Sequence, residues 1–215
     1  MIIIRKDRES KGICSGGNSI ADSFYQVINN LHTDPFVQNV SHNKKHVPSI
    51  ILYTEEQISD VRRFCASGPV GATTVLGIDK TYNLGPLHVT PTVFKHLGIV
   101  RMGTSDHPIF PGPILIHGNS DYLTFASFLH HIADKLDGNC SIVIGSDEEL
   151  AIRKAAALAF PDGHRLACEL HMEKNCSDYL KDMAVNVKDR DSLVKEIFGK
   201  GGLTSTSCLI TFDEN

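Results

Sequence analysis

Two aspartates, Asp79 and Asp147, occupy positions in this chain that favour chemistry. Each follows a short apolar run rich in β-branched residues, Val-Leu-Gly-Ile before the first and Ile-Val-Ile-Gly-Ser before the second. Such runs are typical of buried strands, and open α/β sheets bind their ligands at the C-terminal ends of strands. Two carboxylates held there can bind a divalent metal ion. The pair therefore predicts metal-dependent phosphoryl transfer on nucleic acid.

The segments around these aspartates predict a regular order of elements from residue 72 onward. Pro91 marks the second strand as an edge or bulged strand. The strands are predicted at 73–79, 87–94, 113–117, 141–145 and 164–168. The helices are predicted at 121–136, at 148–160 and from the end of the last strand to about residue 185. The order β-β-β-α-β-α-β-α is the one that a ribonuclease-H-like fold requires, in which strands one and four are neighbours. We therefore expect an α/β fold with a mixed sheet and flanking helices.

The rest of the chain predicts a short N-terminal α/β segment. A helix is expected at 21–31, a polar connection at 41–48, and a strand at 49–53 followed by a helix that Thr54 caps. The predicted organisation is an N-terminal helical and linker segment at 1–48, a strand–helix lead-in at 49–71, the core at 72–198, and a tail or the start of a downstream insertion at 199–215.

Composition and charge exclude several classes of protein. The chain has a net charge of −4 with histidines neutral and no long Lys/Arg run, so a metal ion or another domain must supply much of the positive charge for nucleic acid. No stretch approaches the roughly 20 apolar residues of a membrane helix. The six cysteines are scattered, which favours reduced thiols. These features predict an intracellular protein without membrane partners.

Six short segments form an ordered set of motifs. They are Ile-Asp-Lys-Thr-Tyr-Asn-Leu-Gly (78–85), Val-Thr-Pro-Thr-Val-Phe (89–94), Gly-Pro-Ile-Leu-Ile-His (112–117), Gly-Ser-Asp-Glu-Glu-Leu-Ala (145–151), Ala-Phe-Pro (159–161) and Cys-Glu-Leu-His-Met-Glu-Lys-Asn (168–175). This set is similar to the catalytic domain of Mutator-like (MULE-type) transposases. In these DDE-type enzymes the second acid is followed by an alanine-rich helix, a Phe-Pro turn, a Cys-x-x-His pair and a basic-Asn pair. The resemblance covers roughly residues 49–198, although Leu170 replaces the usual aromatic residue between the cysteine and the histidine.

The resemblance implies a transposase core that cleaves and joins DNA with two Mg²⁺ or Mn²⁺ ions. Asp79 matches the first catalytic aspartate, which would bridge both ions, and Asp147 matches the second. The third acid of the family has no match, because Glu173, Glu196 and Glu214 lie in no recognisable context. We therefore expect an incomplete, truncated core with weak metal binding and little turnover. The implied partner is the DNA of transposon ends, the implied location is the nucleus rather than the cytoplasm, and self-association stays open.

Cys168 and His171 match the Cys-x-x-His pair, whose role is structural or metal-related by resemblance. Structural zinc needs four ligands, and Cys176 and His164 are the available third and fourth. The alternative is a buried cysteine with a hydrogen-bonded histidine on the following helix. The His130–His131 pair is expected on the surface.

Simpler interpretations exist for the aspartates as well. Asp79 is also suited to cap a turn, and Asp147 is also suited to cap the helix that follows it. The rival function belongs to a different class. It is a non-catalytic protein, domesticated or left over from a transposon, whose fold serves protein interaction; the net negative charge and the missing third acid favour it.

Overall fold

The computed structural model describes residues 34–43, 46–66, 74–80, 82–84, 87–136, 140–147 and 149–204. Within these residues the strands are β1 (Val37–Asn43), β2 (His46–Leu52), β3 (Leu76–Ile78), β4 (Tyr82–Leu84), β5 (Leu87–Lys95), β6 (Ile109–His117), β7 (Val143–Ser146) and β8 (His164–Ala167). The helices are α1 (Glu55–Cys65), α2 (Tyr122–Lys135), α3 (Leu150–Ala159), α4 (Glu169–Asp182) and α5 (Val187–Phe198).

The described strands form one mixed sheet. Its order is β1-β2-β6-β5-β3-β7-β8, and β4 pairs with β5 outside this path. Along the β1-β2-β6-β5-β3 part of this order, each strand is antiparallel to its neighbour. Strands β3, β7 and β8 are parallel to one another. Parallel neighbours need crossover connections. Helix α2 lies in the connection from β6 to β7, which places β7 parallel to β3, and α3 connects β7 to its parallel neighbour β8. The predicted α/β class with a mixed sheet and flanking helices is confirmed.

The core lies between one face of the sheet and helices α1, α2 and α3. Helix α1 begins at a capping box formed by Thr54 and Gln57 and packs on β5 and β6. Helix α2 begins at Asp121, whose side chain accepts a hydrogen bond from the Thr124 N–H, and packs on β6 and α3. The predicted cap at Thr54 and the predicted helix at 121–136 therefore agree with the structure.

Helix α3 buries one face that consists mostly of alanines, whereas its Leu158 is 54% exposed. The buried positions are Ile152, Ala155, Ala156 and Ala159, which follow the i, i+3, i+4, i+7 spacing of one helical face. Small alanines on this face allow α3 to approach α2 closely, so packing rather than the size of Leu158 decides which face is buried.

Strand β5 lies inside the sheet, between β3 and β6, so the prediction of an edge strand was wrong and that of a bulge was right. The register shifts between Pro91 and Val93, and two residues of β6 lie opposite Thr92. The Thr92 hydroxyl donates to the Pro113 carbonyl over 2.8 Å. Proline has no backbone N–H to donate to a neighbouring strand. A bulge interrupts the hydrogen bonds between two strands, so it allows prolines in an inner strand.

The stretch predicted as a polar connection at 41–48 contributes instead to two antiparallel strands, β1 and β2. Strand β2 pairs with β6, so this hairpin extends the same sheet at its edge. The prediction failed because polar residues are tolerated in an edge strand such as β1. The helix expected at 21–31 lies outside the described residues.

Helices α4 and α5 pack against each other and bury no residue completely. The first was predicted; the second was missed, although Asn186 caps it by accepting a hydrogen bond from the Asp189 N–H. Several large apolar side chains on and beside this pair are more than half exposed, namely Leu170, Tyr179, Met183, Val187 and Leu203. The α4–α5 hairpin therefore presents an apolar surface.

Candidate functional site

Asp79 and Asp147 lie side by side at the C-terminal ends of two adjacent parallel strands. Ile78 of β3 pairs with Ser146 of β7, and each aspartate is the next residue after its member of this pair. Neighbouring strands are about 4.7–4.9 Å apart, so the two backbones are close at this point. The predicted convergence of the two residues at one edge of the sheet agrees with this register.

Two glycines lie on the same face of the sheet just before the aspartates. A Cβ at Gly77 would lie 3.1 Å from Val93 Cγ2, and one at Gly145 would lie 2.8 Å from Val75 Cγ1, so these four residues share a face. Side chains alternate along a strand, so this face is the one opposite buried Leu76 and Ile78. Asp79 and Asp147 each come two residues after one of the glycines, just beyond the ends of β3 and β7.

This face carries a shallow apolar groove of about 540 Å³. It is lined by Thr74, Val75, Gly77, Val93, Phe94, Lys95, Leu97, His107 and Ile109. Val75 and Val93 remain 36% and 37% exposed, whereas Leu76 and Ile78 on the other face are buried. The surface that leads from the groove toward the aspartates is thus accessible in the described part of the chain.

The local contacts of Asp147 agree in part with its predicted capping role. Its Oδ1 accepts a hydrogen bond from the Glu149 N–H over 3.3 Å, and its carbonyl accepts one from the Ser146 hydroxyl over 2.8 Å. The residue at the N-cap position of α3 is Glu149, which makes no capping bond with its side chain. Asp147 therefore shapes the turn before α3 rather than capping the helix directly.

An ion pair connects the two loops that follow β3 and β7. Lys80 Nζ lies 3.2 Å from Glu149 Oε2 and 3.4 Å from Oε1. The two side chains are 30% and 25% exposed, so both remain in contact with solvent. This pair places an ammonium group at the edge of the sheet where β3 and β7 end. The sequence analysis missed it, because nothing in the local pattern of either residue points to the other.

A buried histidine lies at the same edge of the sheet, at the end of β6. His117 is fully buried; its Nδ1–H donates to the Asn119 carbonyl over 2.7 Å, and Thr90 Oγ1 is 2.9 Å from its Nε2. Burial lowers the pKa of His117, and the charges of His88 and Lys80 lower it further against the opposing hydrogen bond to Asn119. A neutral His117 satisfies both contacts, since Nε2 can then accept from Thr90.

Cys168 and His171 lie close to the same edge. Cys168 follows β8 directly, and its N–H donates to the Ser146 carbonyl over 2.8 Å. His171 is in the first turn of α4, and its buried Nδ1 has no hydrogen-bond partner among the residues that the structure describes. His164, the fourth candidate zinc ligand, begins β8, so a whole strand separates it from Cys168.

Within the described ranges, no three or more His, Cys, Asp or Glu side chains form a group that could hold a metal ion. The two aspartates thus supply two carboxylates to the candidate site. Of the glutamates considered for a third, Glu173 lies on α4 and Glu196 on α5. Glu214 lies outside the described residues.

Comparison with known proteins assigns this chain to no family. No protein-family model matches it, and no curated protein matches it. Across the part of the chain that the structure describes, no helix combines the length and the apolar character that spanning a bilayer requires. The geometry around Asp79 and Asp147 is therefore the main observation from which a function can be inferred.

Proposed function

We propose that this chain is the incomplete catalytic core of a DDE-type transposase, with a ribonuclease-H-like fold and metal-dependent cleavage and transfer of DNA strands as its activity. The sheet topology supports the fold. Strands β3, β5 and β6 form a meander, and β7 and β8 are added beside β3 through helical crossovers. The first strand of the meander is thus the neighbour of the first crossover strand, as this fold requires.

The pairing of Ile78 with Ser146 is the single observation that carries the activity. It supports equivalent positions for Asp79 and Asp147 at one edge of the sheet, where both carboxylates can serve one site. Carboxylate oxygens suit Mg²⁺ and Mn²⁺, which are hard ions. Bound there, such ions supply charge stabilisation for the attacking and leaving oxygens of a phosphoryl transfer. Asp79 and Asp147 would hold them.

The number of carboxylates limits the expected activity. Two aspartates provide fewer oxygen ligands than two ions require, so we expect weak ion binding and little turnover without a third acid. The ammonium group of Lys80 lowers the affinity further, because it repels a cation at the neighbouring site.

Calorimetric titration of Mn²⁺ into the protein tests this proposal. The wild-type chain should bind the ion, and an Asp79→Asn/Asp147→Asn variant should not. A matched control, Asp134→Asn/Asp178→Asn, removes the same charge from exposed helical positions and should bind like the wild type. Equal binding by the wild type and the Asp79/Asp147 variant would reject the metal site.

The α4–α5 hairpin favours a second candidate function, a non-catalytic module for protein interaction. Tyr179, Met183 and Val187 expose 64%, 62% and 61% of their surface on helices that bury no residue completely. An apolar surface of this kind is typical of binding sites. Under this alternative, a Tyr179→Asp/Met183→Asp variant would abolish partner binding, and Asp79→Asn/Asp147→Asn would leave it intact.

A further inference from the structure

Lys80 lies where the two strands that precede the aspartates end. It follows Asp79 directly, and its ammonium group reaches Glu149, two residues beyond Asp147. Its charge also contributes to lowering the pKa of His117 at the end of β6. The contact with Glu149 therefore places the ammonium group where β3 and β7 end, at the edge where the two aspartates are found.

A phosphate group that approaches this edge needs a cation. Asp79, Asp147 and Glu149 each bring a negative charge to it, and the whole chain is acidic at −4. The lowered pKa of His117 makes that residue neutral at physiological pH, so it adds no positive charge. Lys80 thus brings a positive charge to the edge of the sheet where both aspartates are found.

We propose that Lys80 binds a backbone phosphate of DNA at this edge and that Glu149 holds its ammonium group in position for it. The inference rests on the proposed function, since it requires DNA to be the substrate at Asp79 and Asp147.

The hydrogen-bonding capacity of the ammonium group supports this role. An ammonium group has three N–H donors, and Glu149 can accept at most two of them through its two oxygens. The Lys80 side chain is 30% exposed, so the remaining donor can reach a phosphate oxygen from solvent. A hydrogen bond between an ammonium and a phosphate is charge-assisted and short-ranged, which suits a contact that sets the position of the backbone.

The test is the salt dependence of DNA binding, measured by fluorescence anisotropy with a labelled duplex of about 20 base pairs in the presence of Ca²⁺. Losing one phosphate contact lowers the slope of log K against log salt by about one. We expect this change for Lys80→Gln, several-fold weaker binding with it, and a slope close to that of the wild type for Lys80→Arg. Lys188→Gln removes a charge from exposed α5 and should change nothing.

The role of Glu149 is tested by coupling. If Glu149 positions Lys80, then Lys80→Gln costs less DNA affinity in a Glu149→Gln background than in the wild type. A pair that only ties two loops together would leave the salt slope unchanged in every variant, and so would overturn the proposal. Thermal unfolding of each variant verifies that it is folded, and Lys80→Arg provides a folded comparison that keeps the charge.

Failure of this inference can be separated from failure of the proposed function. Mn²⁺ binding that does not depend on Asp79 and Asp147 would reject the proposed function. Aspartate-dependent Mn²⁺ binding together with an unchanged salt slope in Lys80→Gln would reject the phosphate contact alone. A wild-type chain that does not bind the duplex would also reject that contact. If both proposals hold, Lys80→Gln binds Mn²⁺ at least as tightly as the wild type while it binds DNA more weakly.

Discussion

Asp79 and Asp147 are each the first residue beyond a paired position, Ile78 with Ser146, in the parallel ladder between β3 and β7. Because both follow the same register, a movement of either strand end changes the distance between the two carboxylates. The two residues are therefore coupled by the backbone of the sheet, and the affinity of a ligand that both bind depends on the two together.

Coupling of this kind predicts non-additive effects of single substitutions. Asp79→Asn alone and Asp147→Asn alone should each lower Mn²⁺ affinity by about tenfold or more, and the double variant should lose little beyond either one. Calorimetry on the four proteins measures this directly. Losses that simply add would indicate two independent weak sites rather than one shared site.

The bulge between β5 and β6 predicts a strong effect at Gly112. A Cβ at this position would lie 2.5 Å from Thr92 Oγ1 and 3.3 Å from Val61 Cγ2, and both neighbours are buried. Gly112→Ala should therefore lower the free energy of unfolding by about 1–3 kcal/mol, because the core must shift to admit the methyl group. Urea unfolding gives the value.

Gly98→Ala is a control for that substitution, since its nearest neighbour is a side-chain atom of His96 at 3.1 Å on a loop. We expect a smaller loss there. If Gly112→Ala unfolds at the same urea concentration as the wild type, the bulge does not require a glycine.

The sequence predicted best what depends on a few neighbouring residues. The strand runs before Asp79 and Asp147, the cap at Thr54 and the helix at 121–136 follow from local patterns, and the structure contains all of them. The relative position of the two aspartates also followed, because the order of strands and helices restricts which strands can be neighbours.

Features that depend on pairing between distant segments could not be predicted. The ion pair of Lys80 and Glu149 joins residues 69 positions apart and forms only because β3 and β7 are adjacent in register. The inner position of β5 depends on a bulge shared with β6, which Pro91 alone does not reveal. His131 was expected at the surface, but its Nε2 lies 2.9 Å from the hydroxyl of buried Tyr53.

Burial of Cys65 predicts an unreactive thiol. The residue is fully buried in α1, and burial raises its pKa to about 12. Only the thiolate reacts with an alkylating agent, so iodoacetamide at pH 8 should modify Cys65 far more slowly than the half-buried Cys140, Cys168 and Cys176. Mass spectrometry of the digested protein identifies each site. Equal rates in the folded protein would contradict this, whereas equal rates in urea are expected.

The neutral state of His117 predicts a loss of stability in acid. Its pKa is lowered in the folded protein, so in the unfolded chain it binds a proton at a higher pH, near 6.5. The unfolded state therefore holds more protons below that pH, and the free energy of unfolding falls as pH decreases from about 7 toward the folded pKa. His131, whose pKa burial also lowers, contributes in the same direction.

Substitution separates the contribution of His117 from general acid effects. His117→Gln removes the proton uptake, so its stability should change less between pH 7 and pH 5 than that of the wild type. At pH 7 it should be less stable by about 1–3 kcal/mol, because the contacts with Thr90 and Asn119 are disturbed in a buried site. His130→Gln changes an exposed neighbour of His131 and should retain the wild-type pH dependence. Urea unfolding at several pH values measures both; identical pH slopes for His117→Gln and the wild type would show that His117 does not become protonated when the chain unfolds.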